Sequence, residues 1–149
     1  DRATVAAVLA AARPALGAHE SPAWRVYAVA GKPLARLAEA LRRDGWSTPD
    51  ARAPLALIVT AVRPLGRTDW LDCGMYIEAL LAAARGRGLA TFFRTAVARY
   101  HDTIERELAL GANEIVIAAL KLGYPARATD PAAAAGEPPA EFARFIGFE

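Results

Sequence analysis

One cysteine in 149 residues, Cys73, excludes an internal disulfide and the thiolate clusters that hold structural zinc. Histidine is almost as scarce. His19 and His101 lie far apart in the chain, which argues against a metal centre. No apolar run approaches the ~20 residues that a membrane-spanning helix requires, and no basic start followed by an apolar signal core is visible. An excess of one charge is lacking too: 18 Lys and Arg stand against 16 Asp and Glu. No basic stripe forms, so the pI of about 9.0 is not a nucleic-acid footprint. Dinucleotide-fingerprint, phosphate-loop, nucleophile-elbow and zincin signatures are all missing. Together these absences predict a soluble, cytoplasmic, metal-free protein whose partners are neither nucleic acid nor membrane.

What the chain does have is apolar residues, 54% of the total, enough at this length for a single core and one domain over 1–149. The sequence opens on Asp1 and its first periodic pattern starts almost at once, as expected of a trimmed or excised piece. Val5, Val8, Leu9 and Ala12 share one helical face behind Thr4, a candidate cap, and Pro14 closes the run. Trp24 to Ala30 is rich in β-formers and reads as a strand with Arg25 and Tyr27 on one face. Pro33 to Arg43 carries Leu34, Leu37, Ala38 and Leu41 at helical spacing, and Asp44-Gly45 ends it. Leu55 to Val62, flanked by Pro54 and Pro64, is too short for a typical helix and reads as a buried strand.

The second half is the more informative. Asp69 is placed to cap a long helix running to about Arg87, with Gly88 as its left-handed stop. Trp70, Cys73, Ile77, Leu80, Leu81 and Ala84 form the expected buried stripe, and the run of Ala with Gly74 permits close approach of another helix. Cys73 on that stripe reads as a core thiol rather than a nucleophile. Ala90 to Phe93 is strand-like, and Asp102 with Glu105 has the spacing of a capping box for a helix to Leu110 stopped by Gly111, with His101 just before the cap. Glu114 to Leu122 is the most strongly β segment. The Ala/Pro-rich stretch from Ala126 leads to Glu141–Phe148, and 126–149 is expected to be an extended arm whose aromatic end needs a surface to cover. Alternation of strands and helices by itself predicts an α/β fold with a parallel sheet.

The order and spacing of Trp70 to Tyr124, closing on Gly123-Tyr124-Pro125, together with the terminal EFARFIGF, resemble the FMN-dependent nitroreductase family. That resemblance implies something different from periodicity: an α+β sandwich with a mainly antiparallel central sheet flanked by helices, and a long central helix at the core of a homodimer. It implies FMN as cofactor, reduced by NAD(P)H and reoxidised by a nitroaromatic, quinone or similar small-molecule acceptor. The cofactor-binding residues so implied are Arg25, Leu89, Ala90, Thr91, Arg94 and Arg127. Leu89 to Thr91 would orient the ring through their backbone, and Phe92 or Phe93 would shape the substrate pocket. Arg25 and Arg94 would be the first to test for phosphate contact, with Lys32 and Arg127 as further cations.

The first-half match is looser. Relatives typically read A-P-S-x-x-N-x-Q-P-W-R before the first strand; here Trp24 and Arg25 are kept, while Gly17, Glu20 and Pro22 stand at the Ser, Asn and Gln positions. The stretch from Pro131 to Gly136 lacks the arginines of many relatives, and Phe93-Arg94 stands where Pro-Gln often follows the strand. These departures define an alternative reading, a flavin-free scaffold or regulatory subunit. They also leave open a third, in which His19 and Glu20 form an acid/base pair in a repurposed pocket.

Overall fold

The computed structural model describes residues 1–13, 22–47, 53–125, 144 and 146. His19, Glu20, Arg127 and nearly all of the C-terminal arm lie outside the described residues. The elements follow in the order α1 (Arg2–Ala12), β1 (Trp24–Ala30), α2 (Gly31–Arg43), β2 (Leu55–Val62), α3 (Arg67–Arg85), β3 (Ala90–Arg94), a 3-10 turn (Ala96–Tyr100), α4 (His101–Leu108) and β4 (Glu114–Gly123).

The four strands form one sheet in the order β1-β2-β4-β3, and every pairing is antiparallel. The parallel sheet expected from alternation is therefore wrong, and the antiparallel sandwich implied by resemblance is right. Periodicity reports which face a residue occupies but carries no information on strand direction. In this chain α2 and α3 lead to antiparallel neighbours or skip a position instead of returning to a parallel strand.

Strand alternation sorts the core into two layers. Leu57, Val59 and Ala61 of β2 pack on one face with Val8 and Ala12 of α1 and Cys73, Tyr76, Leu80 and Ala84 of α3. Ile58 packs on the other face with Val29, with Leu37 and Leu41 of α2, and with Val97 and Ile104. On β4 the alternation changes phase: Ile115 and Ile117 contact the α1/α3 layer, and so do Ala118, Leu120 and Leu122. The register accounts for this, since Val59 pairs with Ala118 but Thr60 with Val116, leaving Ile117 as a bulge residue. One extra residue reverses the facing of all that follows.

Several helix ends differ from the sequence expectation. Asp1, not Thr4, caps α1, accepting from the Thr4 N–H at 2.9 Å. α3 starts at Arg67, with Asp69 in its first turn reaching back to the Gly66 N–H at 2.6 Å rather than serving as the cap. Trp70 is 49% exposed while Tyr76 takes the buried place, stacked on Trp24 with ring centroids 4.7 Å apart. The Asp102/Glu105 capping box does not form: α4 begins at His101 behind the 3-10 turn, and its preceding residue, Tyr100, makes no side-chain cap. The helix ends at Leu108, with Ala109 rather than Gly111 taking the left-handed conformation at φ 51°. Gly31, at φ +60°, lets β1 pass into α2 with no intervening loop.

Candidate functional site

β3 is an edge strand. Among the described residues it pairs only with β4, so the outward backbone N–H and C=O groups of Ala90–Arg94 are left without a ladder partner. Such an edge is a ready set of donors and acceptors. Its side chains alternate: Phe92 and Arg94 line a cavity on the α2 side of the sheet, and Leu89, just before the strand, is buried in the α1/α3 layer.

That cavity has a volume of about 340 Å³ and lies between α2 and the sheet. Its walls are Leu34, Leu37, Ala38 and Leu41 of α2, Ala56 and Ile58 of β2, Ala119 of β4, and Val97 and Trp46. The amphipathic pattern of α2 puts its leucines there, and β-alternation puts Ala56, Ile58 and Ala119 opposite them. Ala56 and Ala119 are small, which is how a sheet face gives room without breaking its ladder. Polar groups are few: Glu39, Arg42, Arg94 and Lys121, with Ser47.

The charges at this cavity are not equivalent. Glu39 accepts from Arg42 at 2.9 Å through both oxygens and from Arg43 at 3.1 Å. These hydrogen bonds, chiefly that from Arg42, hold its carboxyl down at about 2. Arg94 meets no carboxylate among the described residues. Its guanidinium carbon lies 3.5 Å above the centroid of the Phe92 ring, and its Nη1 donates to the Phe93 carbonyl at 3.2 Å. Stacking and that single hydrogen bond fix the plane of the fork while leaving most of its donors unspent.

Arg25 is not brought to this place. It sits on β1, the opposite edge strand, three strand spacings or about 14 Å from β3, and its Nη1 donates to the Trp24 carbonyl. Arg25 and Tyr27 do share a face as expected, and Tyr27 has a structural partner: its hydroxyl donates to Glu114 Oε1 at 2.8 Å, while Thr60 donates to Glu114 Oε2 at 2.5 Å. One carboxylate thus ties β1, β2 and β4 together. Burial, then the Glu114 bond, raises the Tyr27 hydroxyl above its ordinary value.

Two other candidates have structural roles. Cys73 is 2% exposed, and burial, with Asp69 and Asp72 adding to it, pushes its thiol up to about 11, so it carries almost no thiolate at neutral pH. His101, Asp102 and Glu105 bring three potential metal-ligand atoms within 4.8 Å of one another. His101 Nδ1, however, accepts from the Val116 N–H at 3.4 Å, so a neutral ring carries its proton on Nε2, which faces Glu105 at 3.8 Å. A donor nitrogen offers no lone pair to a cation. No helix among the described residues is long and apolar enough to cross a membrane.

Sequence reasoning missed the α2 face, Trp46 and Lys121 as cavity walls. Lys121, a lone charge inside an apolar strand run, was the available signal.

This architecture, a helix-flanked antiparallel sheet in the order β1-β2-β4-β3, is the nitroreductase fold. It superposes on the FMN and NADPH-dependent nitroreductase NfnB from Sphigopyxis sp. strain HMH with a TM-score of 0.81, covering 99% of this chain and 91% of that one at 19% identity. NfnB from Mycobacterium smegmatis, solved in complex with NADPH, gives 0.78 over 98% and 89% at 21% identity. In sequence the chain is 35% identical over 72 residues to 4-nitrobenzoate reductase of Pseudomonas putida, which is 48% of this chain and 32% of that protein. It is 32% identical over 72 residues to nitrobenzene nitroreductase of Ectopseudomonas oleovorans, with the same coverage. The matched stretch spans about a third of the length of those curated reductases. No protein-family model matches the chain.

An FMN cofactor makes two demands that can be set against these residues. The ring's polar edge needs fixed donors and acceptors, and the outer edge of β3 offers backbone groups of that kind. The phosphate needs cations, and the described residues supply Arg94 at β3 while holding Arg25 a sheet's width away. The outward backbone edge of β3 fits the first demand, and Arg94 is a cation at the end of that strand.

Proposed function

We propose that this protein is an FMN-dependent oxidoreductase that uses NAD(P)H to reduce a nitroaromatic, quinone or similar small acceptor. The observation that carries the reading is the superposition on FMN and NADPH-dependent nitroreductases along nearly the whole chain, joined to an edge strand whose free backbone groups suit a flavin. When bound, the flavin would supply the two-electron redox chemistry between NAD(P)H and the acceptor. The protein's part is to hold and to exclude. The backbone of Ala90 and Thr91, following Leu89, would orient the ring, Arg94 would supply a positive charge at the end of the same strand, and Phe92 would wall the acceptor's approach from the α2 side.

We infer further that the protein works as a homodimer built on α3. Trp70, Leu71 and Met75 on that helix are 49%, 63% and 45% exposed, and a Cβ added at Gly74 between them would meet nothing. An apolar, close-approach face of this kind is suited to a second copy. The apolar residues of the terminal EFARFIGF, which need a surface to cover, support the same assembly.

Absorbance tests the main reading. The purified protein, or protein titrated with FMN, is expected to show a flavin band with altered shape on binding and to oxidise NAD(P)H when an acceptor is added. A colourless protein whose spectrum is the plain sum of protein and added FMN overturns it in favour of a flavin-free scaffold. Sedimentation at micromolar concentration tests the assembly, a compact monomer being the contrary result.

A further inference from the structure

We propose that Phe92 is a positioning residue: its ring holds the Arg94 guanidinium as a preset anion-binding group, and through it sets the preference of the site for FMN over the same flavin without its phosphate. The inference rests on the flavin reading above and deepens it.

The argument starts from the strand. Phe92 and Arg94 stand two residues apart on one face of β3, and the guanidinium carbon lies 3.5 Å above the centroid of the ring. Across the ladder Arg94 faces Ala119, in the last pair that β3 makes with β4. A methyl group opposite gives a long side chain nothing to lean on. Lys121, opposite Phe92, has the same sign of charge as Arg94 and offers it no attraction. The support within reach is therefore the Phe92 ring, which is itself steadied: it is half-buried and lines the cavity wall with Val97 and Ala119.

Arg94, by contrast, is exposed. An exposed arginine ordinarily samples many rotamers and gives up that freedom when it binds a ligand. Here the stack on Phe92 and the bond from Nη1 to the Phe93 carbonyl at 3.2 Å have already fixed the plane of the fork. Its other donors meet no carboxylate among the described residues. A charged fork held in this way matches the oxygens of a phosphate. The attraction between cation and ring comes from the negative face of the aromatic system, so an aliphatic side chain at position 92 would fill the space without holding the charge. Bulk and aromatic face can thus be separated by substitution.

The test titrates the full chain, freed of any flavin it carries, with FMN and with riboflavin, following the quenching of flavin fluorescence. FMN is expected to bind about tenfold tighter than riboflavin, or better. Arg94→Gln should bring that ratio to near one by weakening FMN alone. Phe92→Leu and Phe92→Met should each cut the ratio about fivefold while leaving riboflavin affinity as it was, and Phe92→Tyr, which keeps the aromatic face, should retain it. In the Arg94→Gln background, Phe92→Leu should leave the ratio unchanged. A ratio that survives both apolar replacements overturns the proposal, and so does an equal loss for both flavins, which would make Phe92 a wall of the ring site only. A ratio of one in the unaltered chain overturns it too. In each of those cases flavin still binds and the wider reading stands, whereas a chain that takes neither flavin removes that reading and this inference with it.

Discussion

The two faces of the sheet are built from the same alternating strands and end up different. On the α1/α3 side, Ala12, Ala61, Ala84 and Ala118 are completely buried, and small residues at these contacts let helices and sheet approach closely, so that the open space of this face, about 340 Å³ beside Val5, Leu55, Leu89 and Leu122, lies at the N-terminal end of α1. On the α2/α4 side the strands again present small residues, Ala56 and Ala119, and between them and the leucines of α2 lies a cavity of about 340 Å³. The same side chain, alanine, closes the contact beneath α3 and lines the open space beneath α2. What differs is the element opposite.

That contrast can be broken in graded ways. The largest effect is expected from Leu80→Ala on α3: at 1% exposure in the closed layer, its removal should cost about 2–5 kcal/mol in denaturant unfolding. Leu34, which is only partly buried beside the cavity, should cost much less when cut to Ala, because part of its surroundings is already empty. A comparable loss at both positions would mean the cavity is filled in solution. Glu114→Gln comes next. It keeps the shape but weakens the charged acceptor shared by Tyr27 and Thr60, and a loss of about 1–3 kcal/mol is expected, with Thr60→Val showing less than an additive effect in the double mutant.

Smaller still is Ala109→Gly. Alanine at φ 51° bears a left-handed cost of about 1–2 kcal/mol that glycine avoids, so this change should raise the unfolding midpoint, and a drop would refute the strain. The smallest effect belongs to Glu39 of α2, whose ion pairs with Arg42 and Arg43 are open to solvent. Its folded carboxyl is lowered from 4.5 to about 2, so whatever stability its pairing gives is present above pH 4.5 and is lost as pH falls toward 2. Because solvent screens such surface pairs, Glu39→Gln should leave the midpoint at pH 7 unchanged within error. Separately, Cys73 should react with a thiol reagent at pH 8 far more slowly in the folded protein than in denaturant; equal rates would contradict its burial.

All four strands were legible in the sequence, because β-rich runs bounded by Pro and Gly leave few alternatives; β1 and β2 match to the residue. Helix ends were less so. Asp1, Gly66 and Ala109 took places assigned to Thr4, Asp69 and Gly111, since several neighbouring residues can supply the same hydrogen bond and only the path of the chain picks one. Trp70 and Tyr76 exchanged roles for a related reason: both fit an apolar face of α3, and the stacking partner Trp24, 52 positions away from Tyr76 in sequence, decides which is buried. Of the cofactor residues implied by resemblance, the Ala90–Arg94 strand lies at one accessible edge, while Arg25 lies at the other.

By itself the sequence determined where strands and helices form and which face of each is apolar, because those follow from side-chain periodicity along a few adjacent residues. Strand direction and order, the phase reversal at Ile117, the gap under α2 and the separation of Arg25 from Arg94 were decided only in the tertiary structure. Each depends on residues distant in the chain being placed opposite one another, and a local pattern carries no information about what will stand across from it.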